Sequence, residues 1–165
     1  MRYTPVQKAA ALVGAVFLLV GILGFIPGIT VSYDQLGFWE NESDAELFGL
    51  FQVSVLHNIV HLLFGAAGLA FARSWTGART YLIGGGFIYL ALALYGALID
   101  QNSDANFIPT NNGDDYLHLV LGLGMVGLGF LTSRERPEYD DGRRLAPDRQ
   151  AAAHDERARV GAPAR

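Results

Sequence analysis

Residues 9–26 read AAALVGAVFLLVGILGFI, a run of eighteen residues without a charged or amide side chain. As an α-helix it would be roughly 27 Å long, close to the thickness of a bilayer's hydrocarbon core. The run is long for the apolar part of a signal peptide, and its exit, FIPG, lacks an Ala-x-Ala cleavage pattern. We therefore predict a retained membrane-spanning helix at 9–26.

Three further stretches contain no Asp, Glu, Lys or Arg, namely 47–72, 81–99 and 116–133. Each is long enough to form a membrane-spanning helix. We therefore predict an all-α membrane protein in which residues 1–133 form a four-transmembrane-helix bundle. The remaining residues, 134–165, are rich in Arg, Ala, Pro and acidic residues without apolar periodicity, which predicts a disordered tail.

The charges alternate from one connection to the next. The connections 27–46 and 100–115 carry five and four acidic residues and no basic one. All twelve Lys and Arg lie before the first run, between the second and third, or after the fourth. This positive-inside pattern predicts that the N terminus and the C terminus are both cytoplasmic. Eleven of the twelve are Arg, which is typical of a GC-rich bacterial genome, so we expect a multi-pass protein of the bacterial inner membrane.

Composition excludes several classes of function. The chain has no cysteine, so disulfides, thiolate catalysis and thiolate metal sites are ruled out. We find no Ser/His/Asp triad, phosphate-binding glycine loop or pair of intramembrane carboxylates, so the sequence favours a protein that is not an enzyme. The tail is only weakly basic and has no recognition motif, so no nucleic-acid partner is expected.

Glycines are expected to mark the helix contacts, because helices in lipid associate through close packing of small residues. They occur in every predicted span: Gly14, Gly21, Gly65, Gly68, Gly84, Gly85, Gly86, Gly96, Gly122, Gly124, Gly127 and Gly129.

One polar stripe runs along the second predicted span. Ser54, His57, Asn58 and His61 follow the spacing i, i+3, i+4, i+7, which places them on one face of a helix. Counted from residue 47, His57 would lie about 15 Å along the span, near the midplane. Polar residues at that depth are expected to face the interior and are candidates for function.

The stripe has several readings. His57 and His61, with His118 as a third ligand, could bind a transition metal, although Asn58 stands where a His-Glu-x-x-His motif has its glutamate. Opposed histidines could ligate haem, and imidazoles could handle protons or contact a quinone. The favoured reading is structural: the side chains hydrogen-bond across helices. We therefore expect no cofactor, with haem or a transition metal as alternatives.

The run 50–65, LFQVSVLHNIVHLLFG, resembles a family of small, mainly actinobacterial membrane proteins, the domain of unknown function 4383 family. Further matches are TPVQ at 4–7, GILGFIP at 21–27, ANFIP at 105–109, and Asp114, Leu117 and His118, so that the resemblance covers about residues 3 to 131. It implies a four-helix inner-membrane protein and no particular activity or ligand.

Together these patterns favour a non-enzymatic helical bundle that associates with other membrane components. Its expected partners are the lipid bilayer and a membrane protein or further copies of itself. The alternative is a redox, haem-binding or metal-binding membrane protein that uses the intramembrane histidines.

Overall fold

The computed structural model describes residues 3–39, 43–99 and 112–134. Within these ranges the chain forms four α-helices, α1 (Pro5–Leu23), α2 (Val55–Phe71), α3 (Trp75–Leu98) and α4 (Asn112–Leu131). Helices α1, α3 and α4 are long and apolar enough to cross a membrane, whereas α2 is a shorter apolar helix of 17 residues. The helical fold is as predicted, and the tail after Arg134 lies outside the described residues.

Helices α1 and α2 pack antiparallel through glycines. Gly14 faces Gly65 and Gly68, and Gly21 faces the backbone of Asn58. A Cβ added at Gly65 would lie 2.6 Å from the backbone nitrogen of Leu18, too close for any side chain. The contact therefore depends on glycine.

Helices α3 and α4 pair in the same way. A Cβ at Gly86 would lie 2.9 Å from the carbonyl oxygen of Gly122, and a Cβ at Gly122 would lie equally close to that of Gly86. By contrast, a Cβ added at Gly84, Gly124 or Gly127 would meet no described residue within 4 Å, so these glycines do not mark helix contacts there as the sequence had suggested. Helix α1 also contacts α3, which joins the two pairs.

The predicted second span, 47–72, is helical only from Val55. Upstream lie three short strands, β1 (Thr30–Val31), β2 (Glu46–Leu47) and β3 (Phe51–Gln52), which form an antiparallel sheet in the order β1-β2-β3. The chain folds this way because Leu47 and Val53 bury their side chains with Ala45 in a small separate core. We call residues 24–39 and 43–54 the hairpin lobe.

The lobe is hydrogen-bonded to both helices that it connects, and its bond to α2 runs from the backbone N–H of Val55 to the carbonyl of Gly37 at 3.0 Å. Thr30 Oγ1 donates a hydrogen bond to the carbonyl of Gly24 at the end of α1. At the opposite end of the bundle, Gln7 Nε2 donates to the carbonyl of Ala72 at 3.0 Å, which joins the start of α1 to the end of α2.

Candidate functional site

The polar stripe begins at the first turn of α2. Ser54 is the N-cap, and its hydroxyl oxygen accepts the backbone N–H of His57 at 3.0 Å. Because the helix begins at Val55, His57 is its third residue. The count of ten residues from the start of the helix to His57, on which its placement near the midplane depended, is therefore wrong.

The rest of the stripe lies along the face of α2 that meets α1. Asn58 and His61 are buried, as are Gly65 and Gly68 further along, and His57 is half-buried. The i, i+3, i+4, i+7 spacing places these side chains on one side of the helix, where α1 covers most of them.

His57 and His61 form a stacked pair. Their ring centroids are 4.5 Å apart and their planes differ by only 6°. His61 Nδ1 lies 3.1 Å from the backbone carbonyl oxygen of His57. A carbonyl only accepts hydrogen bonds, so this nitrogen carries the proton and donates.

Aromatic rings connect this pair to the histidine of α4. His61 contacts Phe17 of α1 with a centroid distance of 5.4 Å, Phe17 stacks on Tyr89 of α3 at 5.3 Å, and Tyr89 contacts His118 at 5.3 Å. Phe64 packs edge-on against both Phe17 and Tyr89. One cluster thus unites all four helices, and we call it the His–aromatic cluster, composed of Phe17, His57, His61, Phe64, Tyr89 and His118.

The cluster geometry does not suit the proposed metal site. Stacked imidazole rings hold their nitrogen lone pairs in two separate parallel planes, so one metal ion cannot lie in the planes of both His57 and His61 at about 2.0–2.1 Å from each. Among the described residues, no group of three or more His, Asp or Glu side chains could hold a metal ion. The sequence-based set His57, His61 and His118 is therefore not arranged as a ligand set.

The cluster also leaves little room for haem beside the histidines. The ring of Phe17 lies against His61, that of Tyr89 lies against His118, and these two rings stack on each other. A macrocycle held by His61 and His118 would have to displace both rings. The arrangement is better suited to packing, in which aromatic pairs stabilise a core by about 0.5–1.5 kcal/mol each.

Asn58 packs against the end of α1. Its amide lies on the backbone of Gly24, where a Cβ would overlap the side-chain oxygen. Its side-chain nitrogen is buried without a hydrogen-bond partner among the described residues. The hydrogen bond across helices expected of Asn58 is thus not made by that nitrogen, and the residue contributes close packing.

The sequence reasoning overlooked Asp114. It had been counted as one of the acidic residues of a connection, but its side chain is 2% exposed, and its Oδ2 accepts the backbone N–H of Gln52 at 3.2 Å. This bond ties the start of α4 to strand β3. The signal was available, because Asp114 lies four residues before His118 and therefore on the same face of α4.

Phe17, Phe64 and Tyr89 were also missed as members of the site. Phe17 follows Gly14 by three residues and precedes Gly21 by four, and Tyr89 follows Gly86 by three. Aromatic residues at these offsets from a packing glycine lie on the glycine's face of the helix, so the glycine pattern could have identified both.

A groove of about 570 Å³ lies between α3 and α4, away from the His–aromatic cluster. Most of its lining is aliphatic, including Leu90, Leu94 and Leu119, with Asp115 and Asn112 as polar members. Asp115 rests on the backbone of Gly96, where any side chain would overlap it. The groove is therefore suited to an apolar group rather than to a polar metabolite.

Comparison with known proteins identifies a family. The family model described as Domain of unknown function (DUF4383) matches residues 7–131. No curated protein and no solved structure matches the chain.

Proposed function

This chain belongs to the DUF4383 family, and from that premise we propose that it is a non-enzymatic four-span helical bundle of the bacterial inner membrane that acts by associating with other membrane components. The distribution of apolar side chains carries the proposal. Each helix has a large aliphatic residue with more than half of its surface exposed: Leu12, Leu63, Ile88 and Val120. Proteins in water rarely expose apolar side chains on every side, whereas a surface that contacts lipid requires them.

The proposal counts α2 as a membrane span in addition to the three longer helices α1, α3 and α4. Its 17 residues give a length of about 25 Å, a little less than the ~30 Å hydrocarbon core. The helix contains no charged residue, and Arg73 follows its end. Bilayers accommodate a short span at modest cost through thinning and through long flanking side chains that reach the headgroups.

Charge supports the proposed orientation. Lys8, Arg73 and Arg79 belong to one end of the bundle, where α1 begins and α2 connects to α3, and Asp34, Asp44, Glu46 and Asp114 belong to the other. Positively charged segments stay in the cytoplasm during insertion. Both termini of the bundle are then cytoplasmic, and the hairpin lobe is on the outer side.

The inward histidines support a structural role rather than a reaction. His61 donates its Nδ1–H to its own helix and its ring is packed by Phe17, so this imidazole stabilises the contact between α1 and α2. The outward surface is then the part of the molecule that meets other membrane components.

A photo-crosslinking residue at each of the four exposed aliphatic positions, Leu12, Leu63, Ile88 and Val120, tests the association in growing cells. We expect a reproducible protein adduct, with another protein or a second copy, at one or two positions and lipid adducts at the rest. Lipid adducts alone at all four positions would contradict association with a protein.

Topology is tested separately with single cysteines, since the chain has none of its own. Gln35→Cys in the lobe and Thr76→Cys in the first turn of α3 are both at exposed positions. In spheroplasts, an impermeant maleimide is expected to label the first at once and the second only after lysis. Labelling of both before lysis would overturn the orientation.

The alternative is a redox, haem or metal role for the buried histidines His61 and His118, which would require the rings of Phe17 and Tyr89 to move away from them. An absorption spectrum and elemental analysis of protein purified in mild detergent, beside a His57→Ala, His61→Ala double variant, decides between the two. Haem or stoichiometric metal in the wild type and its loss in the variant would replace the structural proposal.

A further inference from the structure

The hairpin lobe is an ordered unit rather than a loose connection. The backbone N–H of Phe48 donates to the carbonyl of Ile29 at 2.9 Å, and that of Val53 donates to Ala45 at 2.9 Å. Ser43 Oγ donates to the carbonyl of Val53 at 2.6 Å. The lobe can therefore hold side chains in fixed positions on its surface.

Its surface carries several large apolar side chains beside the exposed carboxylates of Asp34 and Asp44. In the described parts of the lobe, Val31, Phe38, Trp39, Phe48 and Leu50 are each about half exposed or more. Phe48 and Leu50 flank Gly49 in the turn between β2 and β3 and are 57% and 62% exposed. Several exposed large apolar residues on one small unit mark a surface that contacts a membrane or a partner.

The turn between β2 and β3 adopts a costly conformation that exposes these residues. Phe48 has φ +57° and Gly49 has φ +67°, both in the left-handed region. Residues other than glycine, and bulky ones above all, rarely adopt this left-handed conformation, and such strain costs about 1–3 kcal/mol. A large aromatic residue held there and left exposed indicates that its position has a use.

The length of α2 sets the depth of the lobe. Arg73, directly after α2, stays at the cytoplasmic headgroups in the proposed topology, so the other end of α2 lies only about 25 Å away. A hydrocarbon core of ~30 Å then reaches the base of the lobe.

The backbone at the base of the lobe has the hydrogen bonds that a position within the hydrocarbon core requires. The first N–H groups of a helix lack partners within the helix and cannot be left unpaired in lipid. Here the backbone N–H of Val55 donates to the carbonyl of Gly37 at 3.0 Å, and that of Leu56 donates to Phe38 at 3.1 Å.

We propose that the hairpin lobe is embedded in the outer leaflet of the membrane, with Phe48, Leu50 and Trp39 inserted at the boundary between phospholipid headgroups and acyl chains. The occupant of this apolar surface is lipid. Trp39 packs edge-on against Phe38 with a centroid distance of 5.0 Å, which gives the bilayer a broad aromatic contact. The inference rests on the four-span topology proposed above.

Tryptophan quenching by brominated phosphatidylcholine tests the inference in reconstituted vesicles. In a Trp39→Phe, Trp75→Phe background, one tryptophan is introduced at a time by Phe48→Trp, Asp44→Trp or Leu63→Trp. We expect Phe48→Trp to be quenched most by lipid brominated near the headgroup. Leu63→Trp, on the face of α2 that points away from the bundle, is expected to be quenched most by lipid brominated deep in the acyl chain. The exposed Asp44→Trp, on the same lobe, is expected to stay unquenched.

Each failure has a separate meaning. If Leu63→Trp is quenched and Phe48→Trp is not, the lobe does not insert, although the bundle spans the membrane. If Leu63→Trp is also unquenched, the four-span proposal itself fails. Should Phe48→Trp disturb the strained turn, the single variant Trp75→Phe leaves the native Trp39 as the only tryptophan, and its lack of quenching would equally overturn the inference.

Discussion

His61 makes a hydrogen bond through a ring nitrogen and also packs its ring against two other rings. Its Nδ1–H donates to the carbonyl of His57, while the ring packs between His57 and Phe17. The bond satisfies a buried donor within the same helix, so the imidazole can pack against α1 without an unpaired N–H. A polar residue is therefore able to serve as part of an apolar contact.

We expect His61→Ala to reduce the free energy of unfolding by about 1–3 kcal/mol, through loss of one hydrogen bond and creation of a cavity beside Phe17. The matched variant is His57→Ala, which removes a half-buried ring but keeps the carbonyl that accepts from His61. Its effect should be clearly smaller. Titration with SDS from a mild detergent measures both, and equal losses would contradict the assigned role of His61.

The residues of the stripe were predictable and their depth was not. Spacing alone places Ser54, His57, Asn58 and His61 on one side of a helix. It does not say where the helix begins, because hydropathy counts the apolar residues of strands β2 and β3 as part of the helix. The contacts of His61 with Phe17 and of His118 with Tyr89 depend on how different helices pack, which one sequence does not specify.

Helix α2 depends more on its N-cap than α3 does. Ser54, its N-cap, is fully buried, whereas Ser74, the N-cap of α3, is exposed and makes the same bond, to the N–H of Gly77 at 3.0 Å. Water can replace an exposed cap but does not reach a buried one.

We therefore expect Ser54→Ala to cost about 1–2 kcal/mol of unfolding free energy, the upper range for loss of a cap, and Ser74→Ala to cost less. Thermal unfolding followed by circular dichroism in the same detergent compares the pair. A larger effect for Ser74→Ala would show that burial at residue 54 does not strengthen the cap.

The close contact between α1 and α2 leads to a second prediction about helix packing. A methyl group at Gly65 would meet backbone atoms of Gly14 and Leu18, which cannot move unless α1 shifts. Gly65→Ala should therefore destabilise the bundle by about 1–3 kcal/mol despite the better helix propensity of alanine.

Gly124→Ala is the control, because a Cβ added there would have no neighbour within 4 Å in the described parts of the chain. It should leave stability unchanged or raise it by up to about 1 kcal/mol. The temperature at which each protein aggregates, measured by gel filtration after heating, ranks the two. A stable Gly65→Ala protein would mean that α1 and α2 do not pack as closely as described.

At the scale of the whole molecule, the length of α2 and the distribution of charged residues together predict how the protein lies in the membrane. Hydropathy predicted four apolar segments, and residues 3–39, 43–99 and 112–134 form four α-helices. Hydropathy assigned residues 47–54 to the second segment, because strands of two residues are too short to show an alternating pattern. Charge asymmetry predicts which end of the bundle is cytoplasmic. The shortness of α2, visible only in the structure, then predicts the depth of the lobe.

Because Gly37 and Phe38 accept hydrogen bonds from the first residues of α2, the lobe cannot change depth independently of that helix. We therefore expect the Trp75→Phe protein, with Trp39 as its only tryptophan, to shift its emission to the blue in vesicles of longer-chain phosphatidylcholine and to the red in shorter ones. A thicker bilayer covers more of a lobe whose distance from Arg73 is fixed. The Trp39→Phe protein, which keeps Trp75 at the opposite end of the bundle beside Arg73, should show little change. Emission of Trp39 that does not depend on chain length would mean that the lobe stands clear of the membrane or adjusts its depth freely.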